Sequence, residues 1–461
     1  MTITADDAPA AIESLRRRLR GAVALPGEPG YDLAVSWNRS VQMRPLAVVA
    51  VADSADVVEI VRVAAAHGCR VAVQCTGHGP VAFDGDDVLL IHTGRLDELH
   101  VDPSTRRARI GAGLVWEPVV AAAAQHRLAP LAGSAVSVGV VGFLTGAGVG
   151  PLVRTFGMSS DWVTGFEVVT GAGELRQVSP DRDPDLFWGL RGGKSTLGIV
   201  CAVEIELIQC AELFGGAVYF DGNDADAVLR SWAQWTTGLP EHANTSIALL
   251  QLPPLPGVPE PLAGRLTVAV RFASIEPAAV CEPLLAPIRG VAAPLLDTVT
   301  TIPYTAIGSI HADPPDPMPA KEETALLRQL PEPALDALLE LAGPDSGSPQ
   351  TIVELRLLGG AYARAAAHPS AFCHRDAHQN LTMIGVPGPT SAQRLAEHAG
   401  TVLDAMRPWA TGGMLPNFTA SADPEVLRRR YDEPTLTSLS TLGDRYDPSG
   451  VFRVGQVVRG F

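Results

Sequence analysis

Gly77-His78-Gly79 sets an imidazole inside a glycine turn directly after a β-rich run, where backbone N–H groups can cradle a pyrophosphate and the ring can reach a bound molecule. Further along, residues 131–150 read LAGSAVSVGVVGFLTGAGVG, with six glycines among small residues. Each interior glycine costs a helix up to ~1 kcal/mol relative to alanine, so this stretch reads as a backbone-lined loop rather than an ordinary helix. Such a loop lets a flat ligand come close. Two phosphate-binding patterns fail here. Gly189-Leu-Arg-Gly-Gly-Lys194-Ser195 has Trp188 where the Walker spacing needs glycine, and Asp-Pro-Asp where it needs an apolar strand. Gly146 and Gly148 open a G-x-G-x-x-G pattern, but position 151 is proline.

The elements that must hold these turns follow from the hydrophobic pattern. Residues 45–51 form an apolar run, Asp53 or Ser54 can cap a helix over 55–66, and 70–74 is a second β-rich run, which together make a βαβ unit. A strand at 88–92, a hairpin around Asp102-Pro-Ser-Thr, a strand at 108–111 and a helix at 115–125 follow. Strands return at 165–170 and 174–178, then a short helix runs from Asp183 into the turn at Gly193, and 197–207 alternates as a strand. These strands are too mixed for a doubly wound sheet. Beyond about residue 210 come long helical stretches, proline-rich joints at 252–261 and 313–319, and period-two strands at 264–273 and 351–358. A helix over 424–445 opens the tail.

The chain has 461 residues, 46% hydrophobic and 18% charged, enough for two compact domains. Its 35 basic and 50 acidic residues give a net charge of −15 with no basic stripe, which argues against nucleic acid and anionic membrane and for a small-molecule ligand. Only two lysines occur, Lys194 and Lys321. The acidic start, Met1-Thr-Ile-Thr-Ala-Asp-Asp, lacks the basic region and apolar run of a secretory signal, so a cytoplasmic protein is expected. No apolar run reaches membrane-spanning length. The six cysteines form no CxxC pair and no zinc spacing, so they read as reduced, mostly buried thiols, and no metal is expected.

The order of the motifs resembles the berberine bridge enzyme family of FAD-linked oxidoreductases, in the vanillyl-alcohol-oxidase or PCMH-type FAD-binding superfamily. The matching pieces are Asn38 with Arg44-Pro45; Gln74-Cys75-Thr76-Gly77-His78-Gly79-Pro80; Gly133-Ser134 through Val138-Gly139 to Gly142 and Leu144; Gly146–Gly150 with Arg154-Thr-Phe-Gly157 and Asp161-Trp-Val163; Asp185 to Gly193; Gly198-Ile199-Val200; and the tail Arg445-Tyr-Asp-Pro448 with Val451-Phe-Arg453. The resemblance implies an α+β, two-domain PCMH-type fold. Residues 1–210 would form the FAD-binding domain, 211–417 a substrate domain of antiparallel sheet backed by helices, and 418–461 a return segment completing the first. It implies FAD bonded through His78, an attachment that raises the flavin's potential and keeps it from leaving. The quoted loop residues, with Asn417 and Gln456, would bind the cofactor.

Departures from the family pattern carry information as well. Bicovalent members have cysteine where this chain has Ala135, so a second, cysteinyl link is excluded. Many members have His and Tyr at Phe143 and Val149; the tyrosine of the C-terminal Tyr-x-Asn motif aligns with Leu415, ahead of Asn417; and Gly455-Gln456 replaces the commoner Asn-Gln. Valine at 138, the family's oxygen gatekeeper position, goes with an open path for O₂ and favours an oxidase. Removing hydride from an alcohol needs a group to take the hydroxyl proton, which Leu415 and Val149 cannot do. Period two places Glu354 and Arg356 on one strand face, either as base and anion anchor above the flavin or as a paired or solvent-facing couple. His374, in Phe372-Cys-His374-Arg375-Asp376, is either a tuned base beside Asp376 or part of a structural ion pair. The function expected is oxidation of a small alcohol, sugar or natural product with O₂ as acceptor. The alternative is a flavoprotein whose FAD is structural or serves a non-redox biosynthetic cyclisation; a ligand-binding protein that has lost flavin conflicts with the retained His78 and glycine loops.

Overall fold

The computed structural model describes residues 7–388, 391–419, 421 and 423–461; the acidic start read above lies, through residue 6, outside the described residues. Asp53 caps the helix Ser54–His67 by accepting from Asp56 N, and that helix joins the parallel strands of a four-stranded sheet built from Ala22–Ala24, Met43–Ala50, Phe83–His92 and Arg70–Gln74. The third of these runs five residues further N-terminal than its apolar core suggested, because Phe83 to Gly85 pair with Met43 to Pro45. A five-stranded antiparallel sheet follows, with Leu99–Asp102 and Arg107–Gly111 forming the expected hairpin and Ile199–Glu206 at its centre. Trp116–Ala124 and Pro184–Leu190 are the helices read at 115–125 and after Asp183.

The third sheet has eight strands, all antiparallel, and contains the strands read at 264–273 and 351–358 as Leu266–Ser274 and Ile352–Leu357. Its two faces differ chemically. Val270, Ile247, Leu355 and Leu381 point into a core made with Val228 and Trp232 of one helix, Leu335 and Leu338 of a second and Val402 of a third. The alternate positions Arg271, Ser246, Arg356 and Asn380 are register partners across four neighbouring strands and form a buried polar row on the other face. That face is turned toward the glycine-rich stretch.

Two expectations need correction. The 131–150 stretch is not wholly a loop, because Val140–Thr145 forms a short helix that buries Val140, Phe143 and Leu144. The tail helix breaks in two, Pro424–Arg430 and Glu433–Tyr446, where Tyr431 is extended and Asp432 caps the second helix by accepting from Thr435 N. Pro434 lies in the first turn of that helix, where a missing N–H is tolerated. The tail then returns to the first sheet: Val71 N donates to Val451 O, and Val451 and Phe452 join the core of Ala47, Val49 and Ile91.

Arg154 fastens the large sheet to the glycine stretch. It is 7% exposed and has no carboxylate partner among the described residues; instead its guanidinium donates to the carbonyls of Leu239, Pro240, Ala243 and Leu358, while its backbone N–H donates to Asn244 Oδ1. Burial lowers its pKa from the ordinary arginine value. Replacing it by methionine would fill the space and strand several carbonyls. Arg154→Met is expected to lower the unfolding free energy by about 3 kcal/mol or more. A urea midpoint within error of the parent would mean that those carbonyls find other partners.

Candidate functional site

The turn 74–80 is propped by the segment before the first long strand. Trp37 N donates to Thr76 O and Asn38 N to Gly77 O. Gly77 has φ +75, and a Cβ there would stand 2.5 Å from Ser36 Cβ, so both its conformation and its space demand glycine. His78 stacks on Trp37 with ring centroids 4.4 Å apart and planes at 17°. Its Nδ1 lies 2.8 Å from Thr76 Oγ1, and its Nε2 is buried without a partner. Burial pushes its pKa down to about 4, so the ring is neutral near pH 7. Gln74 Oε1 and Gln456 Oε1 are also buried without partners, although Gln74 Nε2 donates to Leu33 O and Gln456 Nε2 to Gly79 O and Thr419 O.

The second glycine stretch meets this turn edge to edge. Cys75 Sγ would lie 3.3 Å from a Cβ at Gly139, and Val138 O accepts from Trp116 N. The six glycines divide by what they avoid. A Cβ at Gly133 or Gly148 would strike the Phe143 ring, and one at Gly150 would strike Ala132 O, so these three serve the fold. Gly142 has nothing within 4 Å, and Gly146 faces Asn417 Oδ1 and Lys194 Nζ. A Cβ at Gly146 would strike Asn417 Oδ1, and one at Gly139 would press on Cys75 Sγ, so of the six only Gly142 faces open space. Leu144 is buried in the core, as are Ile199 and Val200 in their strand, and a Cβ at Gly198 would meet Val169 O at 2.8 Å. Ser134 and Pro80 are half-buried and fully buried respectively. Leu144, Gly198, Ile199 and Val200, expected at the cofactor, thus serve packing with their side chains or lack of them.

Sequence reasoning gave Lys194 no role beyond the failed phosphate loop. Its ammonium donates to Asn417 Oδ1 and, at 3.2 Å, to Gly142 O, and it has no ion-pair partner among the described residues. Burial, with the Arg430 charge adding to it, pushes its pKa down to about 7. Lys194 also holds a left-handed φ of +56, a conformation that costs a non-glycine residue free energy and persists only where surroundings enforce it. The available signal was a lysine, one of two in the chain, inside a Gly-Gly turn.

The polar candidates of the large sheet lie elsewhere than expected. Glu354 accepts from Arg271 at 3.0 Å and from Arg356 at 2.9 Å; burial alone would raise its pKa, but the two guanidiniums more than reverse this and hold it below the ordinary carboxylate value. A carboxylate so engaged is a poor proton acceptor, which corrects its reading as the base. His374 does not pair with Asp376. Its Nε2 lies 3.1 Å from Arg429 O, burial lowers its pKa, and its neighbour Arg375 pairs with Asp161 at 2.7 Å. His374 joins the tail to the sheet, so its reading as a base tuned by Asp376 is corrected too.

Residues 45–179 match a family model described as an FAD binding domain. The chain is 25% identical over 453 residues to (R)-6-hydroxynicotine oxidase of Paenarthrobacter nicotinovorans, covering 94% of this chain and 96% of that protein. In fold it matches 6-hydroxy-D-nicotine oxidase from Arthrobacter nicotinovorans at a TM-score of 0.82 and 24% identity, over 95% of this chain and 98% of that one. It matches the berberine-bridge-enzyme-like protein BBE-like 1 of Physcomitrella patens at 0.85 and 18%, over 97% and 98%. Residues 45–179 thus carry an FAD-binding domain, and over nearly its whole length the chain resembles FAD-linked oxidoreductases with the PCMH-type fold. It is an FAD-linked oxidoreductase with mixed helices and antiparallel sheets.

The residues present fit FAD. Buried polar atoms in native proteins are rarely left without partners, and here His78 Nε2, Gln74 Oε1 and Gln456 Oε1 are orphaned in and beside one turn. Leu415 and Val149 are 1% and 3% exposed and share a core with Ala147, Leu358 and Tyr362. Among the described residues no helix is long and apolar enough to cross a membrane. Gly142→Ala adds a methyl group into open space within a helix, so the flavin-free fold is expected to gain up to ~1 kcal/mol while FAD bound per chain falls. Thermal unfolding and the flavin-to-protein absorbance ratio check both; undiminished flavin content would remove Gly142 from the cofactor surface.

Proposed function

We propose that this protein is an FAD-dependent oxidase acting on a small alcohol, sugar or natural product, with the cofactor held by residues 1–210 and 418–461 and the substrate roofed by residues 211–417. The observation that carries this reading is the set of orphaned buried atoms at His78, Gln74 and Gln456 around a turn whose glycine leaves no room for a side chain. The name of the relative matched over nearly the whole chain, an oxidase, supports it, as does the chitooligosaccharide oxidase sharing the fold. Bound FAD supplies the two-electron acceptor for substrate hydride, and O₂ reoxidises it to give hydrogen peroxide.

His78 is the attachment residue in this reading. In the tautomer that donates Nδ1–H to Thr76 Oγ1, Nε2 presents a free lone pair from a neutral ring, held in place by Trp37. Ala135 offers no thiol for a second bond. The carbonyls of Thr76, Gly77 and Gly79 are taken by Trp37, Asn38 and Gln456, so the N–H groups of this turn are what would meet the pyrophosphate, with Gly139 against Cys75 and Thr76 beside them. Flavin colour is expected to stay with the acid-precipitated protein, with the flavin mass on the peptide containing His78, and His78→Ala is expected to release it. Colour in the supernatant of the parent protein would remove the histidyl bond.

Proton exchange falls to Lys194. With leucine at 415 and valine at 149, it is the ionisable group that touches both Gly142 and Asn417, and its pKa of about 7 lets it take a proton near neutrality. Below pH 7 the lysine is charged, and above it the amine is free to accept, so a change sensed by the flavin is expected to rise with pH through about 7. The visible spectrum of the bound flavin is therefore expected to titrate near that pH in the parent protein and to stay flat in Lys194→Met. A titration of equal size in both proteins would take Lys194 out of the site.

A further inference from the structure

The inner face of the large sheet carries a charge imbalance that the fold itself does not resolve. Arg271 and Arg356 both face Glu354, with side chains 5%, 9% and 12% exposed, so two buried cations share one anion. Buried charges are costly unless paired, and here two guanidiniums have a single carboxylate within ion-pair distance. The next carboxylate, Glu322, feels the charge of Arg356 from further off, but burial with neighbouring Asp313 and Glu323 outweighs it and raises its pKa to about 7.

The hydrogen atoms point the same way. Arginine only donates, so in the 2.9 Å contact between Arg356 Nη2 and His311 Nε2 the imidazole nitrogen accepts, and the proton of the neutral ring sits on Nδ1. Burial, then the charges of Arg356 and Arg271, keep that ring neutral. His311 Nδ1 and Arg271 Nε are both buried and without partners. Both residues, with Arg356, line a narrow cleft closed on its other side by Gly150, Pro151 and Val153, at and just beyond the end of the glycine stretch. His311 is brought there by the helical turn Tyr304–Ile310, which Tyr304 pins to the same stretch through Pro130 O.

We propose that this cleft binds a carboxylate, so that the substrate of the enzyme is a small molecule carrying one, anchored by Arg271, Arg356 and His311 while its oxidisable carbon lies toward the glycine stretch. The identification as substrate rests on the oxidase reading; the anion site itself does not. Glu354 is a positioning residue in this arrangement. It aligns the two guanidiniums and leaves Arg271 Nε–H for the ligand.

Calorimetry on the holoenzyme at low ionic strength, with acetate and benzoate against acetamide and benzamide, tests the site without turnover. Benzoate is expected to bind at least about tenfold more tightly than benzamide, Arg356→Gln to weaken benzoate about tenfold, and Glu354→Gln to tighten it several-fold by freeing a cation. Arg271→Lys keeps the charge and gives a second variant should Arg356→Gln fold poorly; it is expected to weaken benzoate through loss of the Nε donor. Equal binding of benzoate and benzamide, or benzoate weakened by Glu354→Gln, would overturn the site. Carboxylate binding with no flavin reduction by any carboxylate-bearing alcohol would leave the site and remove the oxidase reading. Rapid oxidation of neutral substrates, untouched by benzoate, would do the reverse.

Discussion

The arrangement depends on one buried guanidinium, Arg154, whose donors go to backbone carbonyls. Arg154 leaves the glycine-rich stretch and enters the large sheet, where carbonyls from residues 239, 240, 243 and 358 take up its donors. A carboxylate partner would fix Arg154 to one point, whereas carbonyls from separate segments fix the sheet as a body. The polar row Arg271, Ser246 and Arg356 then lies opposite Gly150 to Val153, and the cleft between them follows. Its walls come from separate segments spread between Gly150 and Leu357.

The same constraint explains why composition alone overstates the ligand surface. Six glycines suggest a continuous bare backbone, but three of them yield to Phe143 and Ala132 O. Phe143 turns into the core, edge-on to Trp116 at 5.6 Å, and Gly133 and Gly148 make room for its ring. Phe143 thus spends two of the six glycines on its own packing. What stays open is Gly142, whose carbonyl accepts from Lys194.

Much of the frame was legible because it is local. Asp53 caps its helix within four residues, the hairpin turns on Asp102, and the period-two strand at 352–357 shows its two faces in six residues. Reading one helix over 424–445 misses the break at Tyr431-Asp432, although an aspartate followed two residues later by proline is a helix-start signal. The site was legible only where one turn makes it. Strand phase placed Glu354 and Arg356 together, but could not show Arg271, which arrives from two strands away, or His311, which arrives from a helical turn beyond the sheet. Without those two, Glu354 reads as a free carboxylate. With them it is the minority charge. His374 misled for the same reason, since its neighbours in sequence pair with Asp161 and its own ring meets the tail.

Lys194 shows how burial retunes an ordinary group. Its ammonium is held by an amide oxygen and a carbonyl, and burial, with the charge of Arg430 adding to it, brings its pKa down to about 7. Leu415 and Val149 pack into one apolar core and offer no titrating group. In the oxidase reading, the proton that such positions cannot take therefore goes to Lys194, whose left-handed φ of +56 persists because its surroundings enforce it.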